Sequence, residues 1–267
     1  YNGSERFRTT SDGVRIAGSS TIVGSITSQG YCSDDTANTC IGSDALTDLT
    51  TGCCNTAVGY CAAHSLTTGT DNIAMGYQSL TNNLTGDDNI AIGYGAGCKN
   101  KTSQNITIGY EAGRFTTGGC CNNMIGFKAG FCNISGVNNT FIGNCAGCGN
   151  TAGAHNIAIG TFTKAGGGAT HGNSNVILGG SAGTCLNTNN NVLIGEQAGR
   201  YLSAGRGNDM LNVSVGVCTL RGAVTDQSGS GGGCNVAIGH KAMMSNTTGP
   251  YNVAAGCGAL TTNTTGC

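Results

Sequence analysis

The sequence predicts an all-β chain folded as a parallel β-solenoid of about 13 coils, each of roughly 17 residues. Three observations predict it. A phrase of Asn, three mostly apolar residues and Gly returns along the chain. The glycine of the phrase recurs at a nearly fixed spacing. The composition is that of a thin structure rich in turns.

The repeat glycines are Gly42, Gly59, Gly76, Gly93, Gly109, Gly126, Gly143, Gly160, Gly179, Gly195, Gly216, Gly239 and Gly256. Their spacings run 17, 17, 17, 16, 17, 17, 17, 19, 16, 21, 23 and 17. Nine of the twelve are 16 or 17, a regularity that marks a stacked repeat. The longer intervals, before Gly179, Gly216 and Gly239, leave the flanking period intact and belong in loops on one side of the solenoid.

The repeat asparagines are Asn55, Asn72, Asn89, Asn105, Asn122, Asn139, Asn156, Asn175, Asn191, Asn235 and Asn252, with Asn212 in the same phase. They are expected either to stack as a ladder of amides or to close a turn, and both roles are structural. In Asn89-Ile90-Ala91-Ile92-Gly93, Ile90 and Ile92 point to one face of an extended strand and Ala91 to the other. The larger face is expected to fill a narrow core, and the Ala face to sit against a neighbouring chain or layer. Gly93 permits a bend or a close approach. A second short extended piece, with Ala96 in a small-residue slot, completes a coil of two strands and two turns. Thr50-Thr51-Gly52, Thr67-Thr68-Gly69 and Thr247-Thr248-Gly249 supply the turns. No sustained 3.6-residue pattern appears, so little helix is expected.

Composition excludes other classes. The chain has 48 Gly, one Pro, no Trp and only 9% charged residues, against about 25% charge and about 7% Gly in ordinary domains. Low charge and low Pro argue against disorder, and Gly without a three-residue period argues against collagen. A net charge of −1 with no basic stripe gives no footprint for nucleic acid. The apolar runs are too short to span a bilayer, so no membrane insertion is expected. A first residue of Tyr1 suggests a processed product or a piece of a longer chain.

Sixteen cysteines suggest an oxidising setting, extracellular or on a virion surface. They keep phase with the repeat. Cys54, Cys121 and Cys234 each precede a repeat Asn; Cys61, Cys145 and Cys218 lie two residues after a repeat Gly; Cys98 and Cys148 lie five after; Cys132 and Cys185 lie six after. Cys132 and Cys148 fall on adjacent coils within one residue of phase and form the candidate disulfide. The vicinal pairs Cys53–Cys54 and Cys120–Cys121 suit links to two different places, within the chain or to another. Cys145-Ala146-Gly147-Cys148 is the one metal-like spacing, but neither His155 nor a second pair completes a zinc set, so no metal or cofactor is expected. His64, His155, His171 and His240 read as surface residues, and Asp34-Asp35 and Asp87-Asp88 as turns. Nine Asn-x-Ser/Thr sequons occur, of which Asn83, Asn100, Asn133, Asn246 and Asn263 fall in predicted loops and are the candidates for glycosylation. No catalytic constellation appears.

The repeat wording is similar to the head repeats of trimeric autotransporter adhesins. Asn72-Ile73-Ala74-Met75-Gly76-Tyr77-Gln78-Ser79-Leu80 with Leu84-Thr85-Gly86 resembles still more closely the repeats of phage tail fibres and related virion fibres. Arg6-Phe7-Arg8-Thr9-Thr10-Ser11-Asp12-Gly13-Val14-Arg15-Ile16 resembles the β-rich elements that precede such repeats. The resemblance divides the chain into a leading element, 1–30, and a repeat region, 31–267. It implies a left-handed β-roll, a homotrimer, and a surface fibre that meets a host or neighbouring surface through a receptor it does not identify. The function expected is a non-enzymatic trimeric virion (tail) fibre for host attachment or spacing, the alternative being the head domain of a bacterial trimeric surface adhesin. An enzyme on a solenoid would need clustered carboxylates or aromatics, which 5% aromatics and 13 acids scarcely provide. An ice-binding array would need Thr-x-Thr on a flat face, whereas the Thr pairs here sit at turns.

Overall fold

The computed structural model describes residues 7–10, 13–16, 37–164, 172–202, 211–222 and 233–266. Strands β1 (Phe7–Thr10) and β2 (Gly13–Ile16) pair antiparallel, with Phe7 opposite Ile16 and Thr10 opposite Gly13. The remaining strands, β3 (Thr39–Ile41) to β15 (Val253–Ala255), form one 13-stranded sheet in which every strand pairs in parallel with its neighbours in sequence. The register aligns equal phases, as where Ile73, Ala74 and Met75 face Ile90, Ala91 and Ile92. The rungs build a β-solenoid of about 11 turns with about 17 residues to a turn.

Two expectations about the coil need correction. Each coil contributes one three-residue strand, not two. The piece after the repeat glycine is a run of turns, because residues two and four places on adopt positive φ, as Gln78 (52°) and Leu80 (52°) do. These turns still bond from coil to coil, the Leu80 N–H donating to the Ala96 carbonyl at 3.0 Å. The second correction reverses the faces of the strand. Ala57, Ala74 and Ala91 are fully buried inside the coil, and the flanking Ile and Val side chains point outward. The interior is too narrow for a strand to insert two large side chains, so the single central residue points in.

Size compensation fills that interior. Where the central strand residue is large, as at Met124, Phe141, Ile177 and Leu193, the fourth position after the repeat glycine is Gly130, Gly147, Gly183 and Gly199. A Cβ on Gly147 would stand 2.4 Å from Phe141 Cγ, and one on Gly130 2.2 Å from Met124 Sδ. Where the central residue is Ala74 or Ala237, the fourth position is Leu80 or Met243, fully buried. In these coils the two positions share one space, whereas Ala57 with Ala63 and Ala91 with Gly97 pair two small residues.

The repeat glycines are demanded twice over. Gly93 has φ +130°, and a Cβ there would meet the Gly109 carbonyl oxygen at 2.5 Å. Gly256, on the last rung, has φ +120° and nothing within 4 Å of the same point. Both Gly→Ala variants should lose about 1–3 kcal/mol to backbone strain. Gly93→Ala should lose clearly more, since its clash is with backbone that cannot rotate away. Urea unfolding of the two variants side by side checks this, and equal losses would show that the close approach of rungs carries no energy.

The glycosylation candidates also need correction. Asn83, Asn100, Asn133 and Asn246 are at most 1% exposed. They turn into the coil at a corner that Leu66, Leu186 and Leu202 fill elsewhere. There Asn83 Oδ1 accepts the Gly86 N–H at 2.7 Å and Asn150 Oδ1 accepts the Gly153 N–H at 3.1 Å. An amide bonded inside the corner cannot carry a glycan. Asn263 makes the same turn around Gly266 on the last coil and is only partly buried.

Candidate functional site

The inner wall of the sheet starts from the asparagines. Each repeat Asn lies just before its strand, where the chain turns into the coil. The Asn72 N–H donates to Asn55 Oδ1 at 2.9 Å, and Asn72 Nδ2 donates to the same oxygen at 3.0 Å and to the Gly86 carbonyl at 2.8 Å. The pattern runs on through Asn89, Asn105, Asn122, Asn139, Asn156, Asn175 and Asn191. It continues through Asn212, Asn235 and Asn252. Along most of the column one oxygen thus takes two protons from the next rung while the amide nitrogen ties the turn beyond it; at Asn89 the second proton comes instead from Asn100 Nδ2 at 2.9 Å. Asn38 belongs to the column too, accepting the Asn55 N–H at 2.7 Å. Its place 17 residues before Asn55 was the available signal.

The outer wall of the same sheet is the candidate interaction surface. Each of the thirteen strands turns its first and third residues outward, giving 26 positions, and none of them is charged. The third-residue column is apolar throughout, from Ile41 to Ala255. On the inner rungs Met75 is 40% exposed, Ile159 38% and Ile238 47%, and Ile41 on the first rung is 59% exposed. Beside this strip, the residue after the repeat glycine adds an aromatic column. Tyr60, Tyr77, Tyr94, Tyr110 and Phe127 stack in order with ring centroids 5.0–5.3 Å apart and planes within 18° of parallel. The ring spacing follows the rung spacing, so each face is covered by the next ring and the exposed edges, with their hydroxyls, line the surface. A hydrogen bond with Cys61 heads the causes that push the Tyr60 hydroxyl up. At about 4.8 Å per rung, thirteen rungs give an apolar strip about 60 Å long.

The charged side chains lie off this wall. Between 37 and 98 the chain carries five Asp and no Lys or Arg. Lys99, Lys101, Arg114 and Lys128 follow on three coils with Glu111 among them. Glu111, 8% exposed, pairs with Arg114 and, at 3.5 Å, with Lys128. Lys99 sits 4.6 Å from the centre of the Phe115 ring. His64 lies 3.6 Å from Asp48, while His155 and His240 are exposed. Asp87 accepts the Thr70 N–H at 2.8 Å, and Asp88 has φ 57°, so this acidic pair forms a turn. Asp34, Asp35 and His171 lie outside the described residues.

All 14 described cysteines are thiols. Cys53–Cys54 and Cys120–Cys121 occupy the same corner, four rungs apart, or about 19 Å, too far to join within one chain. A hydrogen bond with Cys120 is the chief cause that pushes the Cys121 thiol up, and burial pushes up Cys98. Cys132 donates its N–H to the Cys148 carbonyl at 3.3 Å, so the candidate pair does face across adjacent coils. Among the described residues no three His, Cys, Asp or Glu side chains gather so as to hold a metal ion. Comparison with family models, with curated proteins and with solved structures gave no match.

Proposed function

We propose that this chain is a non-enzymatic, structural length of a surface fibre that works as an assembly of identical copies. The reading that fits it best is a trimeric virion fibre, with left-handed coils, that attaches to a host surface or spaces another module from it. The observation that carries the proposal is the outer wall of the sheet: 26 uncharged positions with isoleucines up to 59% exposed. Lone exposed apolar residues need no explanation, but a contiguous apolar strip marks an interaction site. A strip about 60 Å by 10–12 Å offers about 600–700 Å² per chain, close to the roughly 800 Å² per partner of a standard interface.

A second copy is the occupant that suits this strip. Its period of one rung matches only a surface with the same period, and a parallel copy supplies that. Receptor contact then falls to the turns and to the polar corners, outside the buried strip. Ile108→Lys with Ile142→Lys places two charges on the outer column without touching the coil interior. This double variant is expected to run as a monomer by light scattering while keeping the wild-type circular dichroism spectrum. If it keeps the wild-type mass, the strip is not the contact.

A further inference from the structure

The fifth position after a repeat glycine is a meeting point. It touches the second position of its own coil, as Arg114 does in pairing with Glu111 and as Arg200 does in donating to Gln197 Oε1 at 3.5 Å. It also touches the sixth position of the preceding coil. His64 lies 3.6 Å from Asp48, Asn82 Nδ2 reaches Cys98 Sγ at 3.7 Å, and the rings of Phe115 and Phe131 meet edge to face at 4.9 Å. In the coil that follows Gly143 these three places are all cysteine: Cys145 at the second, Cys148 at the fifth, and Cys132 at the sixth of the coil before. The backbone ties them together, Cys132 N–H to the Cys148 carbonyl at 3.3 Å and Cys148 N–H to the Cys145 carbonyl at 3.4 Å. Burial first, then the adjoining Cys145 and Cys132, push the Cys148 thiol up.

We propose that Cys132, Cys145 and Cys148 form a thiol–disulfide exchange site in which Cys148 is the shared partner. Residues on adjoining rungs, one phase apart, place their Cα atoms about 5–6 Å apart, inside the disulfide window. The oxidant is a small disulfide such as oxidised glutathione. The Cys132 thiolate attacks it, forms a mixed disulfide and releases one glutathione thiol. The Cys148 thiolate then attacks Cys132 Sγ and releases the second. The protein gives up two thiol protons and two electrons, and one glutathione disulfide becomes two thiols. The product joins two coils. Attack by the Cys145 thiolate on Cys148 Sγ moves the bond into a single coil and frees Cys132, with no change in electron count. The site is therefore a staple between coils that a neighbouring thiol can open without a reductant.

Incubation of the full chain in glutathione redox buffers, acid quenching, alkylation and peptide mass spectrometry tests this. In oxidised wild-type protein Cys148 should appear joined to Cys132 in one fraction and to Cys145 in another, with the chain at single-chain mass on a non-reducing denaturing gel. Cys145→Ser should leave only the Cys132–Cys148 bond, and Cys132→Ser only Cys145–Cys148. Cys148→Ser should leave Cys132 and Cys145 open to alkylation once glutathione adducts are reduced. The wild-type map alone can overturn the proposal: Cys148 remaining alkylatable in oxidising buffer, or joined to any other cysteine or another chain, would do so. The readout is the same whether or not the copies associate.

Discussion

Phe141→Ala is expected to lower the unfolding free energy by about 3–5 kcal/mol, and adding Gly147→Leu should recover part of that loss. Phe141 is the largest fully buried side chain among the described residues, and its ring lies against the turn that holds Gly147. Truncation leaves a cavity that the hydrogen-bonded coil cannot close, because each rung is held in place above and below. Gly147 has φ +61°, yet Leu80 stands at the equivalent place with φ 52°, beside Ala74. The double variant recreates that Ala–Leu pairing in a different coil. Gly147→Leu alone should be destabilising, since its Cβ would meet the Phe141 ring. A double-mutant cycle by denaturant unfolding reads the coupling. Strictly additive losses would mean that the two positions do not share one space.

Asn122→Ala should rank with it, at about 2–5 kcal/mol, from the Asn139 N–H and one Asn139 Nδ2 proton left without an acceptor at roughly 1–3 kcal/mol each, while the Gly136 carbonyl keeps the Asn133 amide. Asn122 Oδ1 takes the Asn139 N–H at 3.0 Å and Asn139 Nδ2 at 3.1 Å, and Asn122 Nδ2 donates to the Gly136 carbonyl at 2.8 Å. All of these groups lie inside the coil, where no water replaces the lost partner. Asn252→Ala is the internal control. Asn252 lies on the last described rung, with no following repeat asparagine among the described residues, and its Nδ2 bond to Gly266 is exposed. Its loss should be well under half that of Asn122→Ala. Comparable losses would reduce the ladder to a set of independent turns.

How much of this was legible in the sequence follows from what a period encodes. The spacing of the repeat glycines gave coil length and strand register together, because one coil length aligns every phase with its copy. Which side of the strand faces inward was not legible from alternation in Asn89–Gly93, since alternation defines two faces and names neither. The deciding signal lay across the repeat. Phe141 with Gly147 and Leu193 with Gly199, against Ala74 with Leu80, vary as partners in one confined space. The outer column from Ile41 to Ala255 keeps one apolar character, with no such compensation. Asn83 and Asn133 read as loop residues because their sequence is polar. Their recurrence in phase, with Gly three residues on, was the mark of an interior turn. The tyrosines were visible as a recurrent aromatic, but their stacking follows from register in space, which only the strand pairing supplies.

The central claim is that the outer wall of the sheet is covered by further copies of this chain. The most direct test is the native mass of the wild-type chain by sedimentation equilibrium, in the presence and absence of reductant. The account predicts three times 26.5 kDa under both conditions, since the apolar strip and not a thiol link holds the copies together. A single-chain mass at micromolar concentration in both would contradict it.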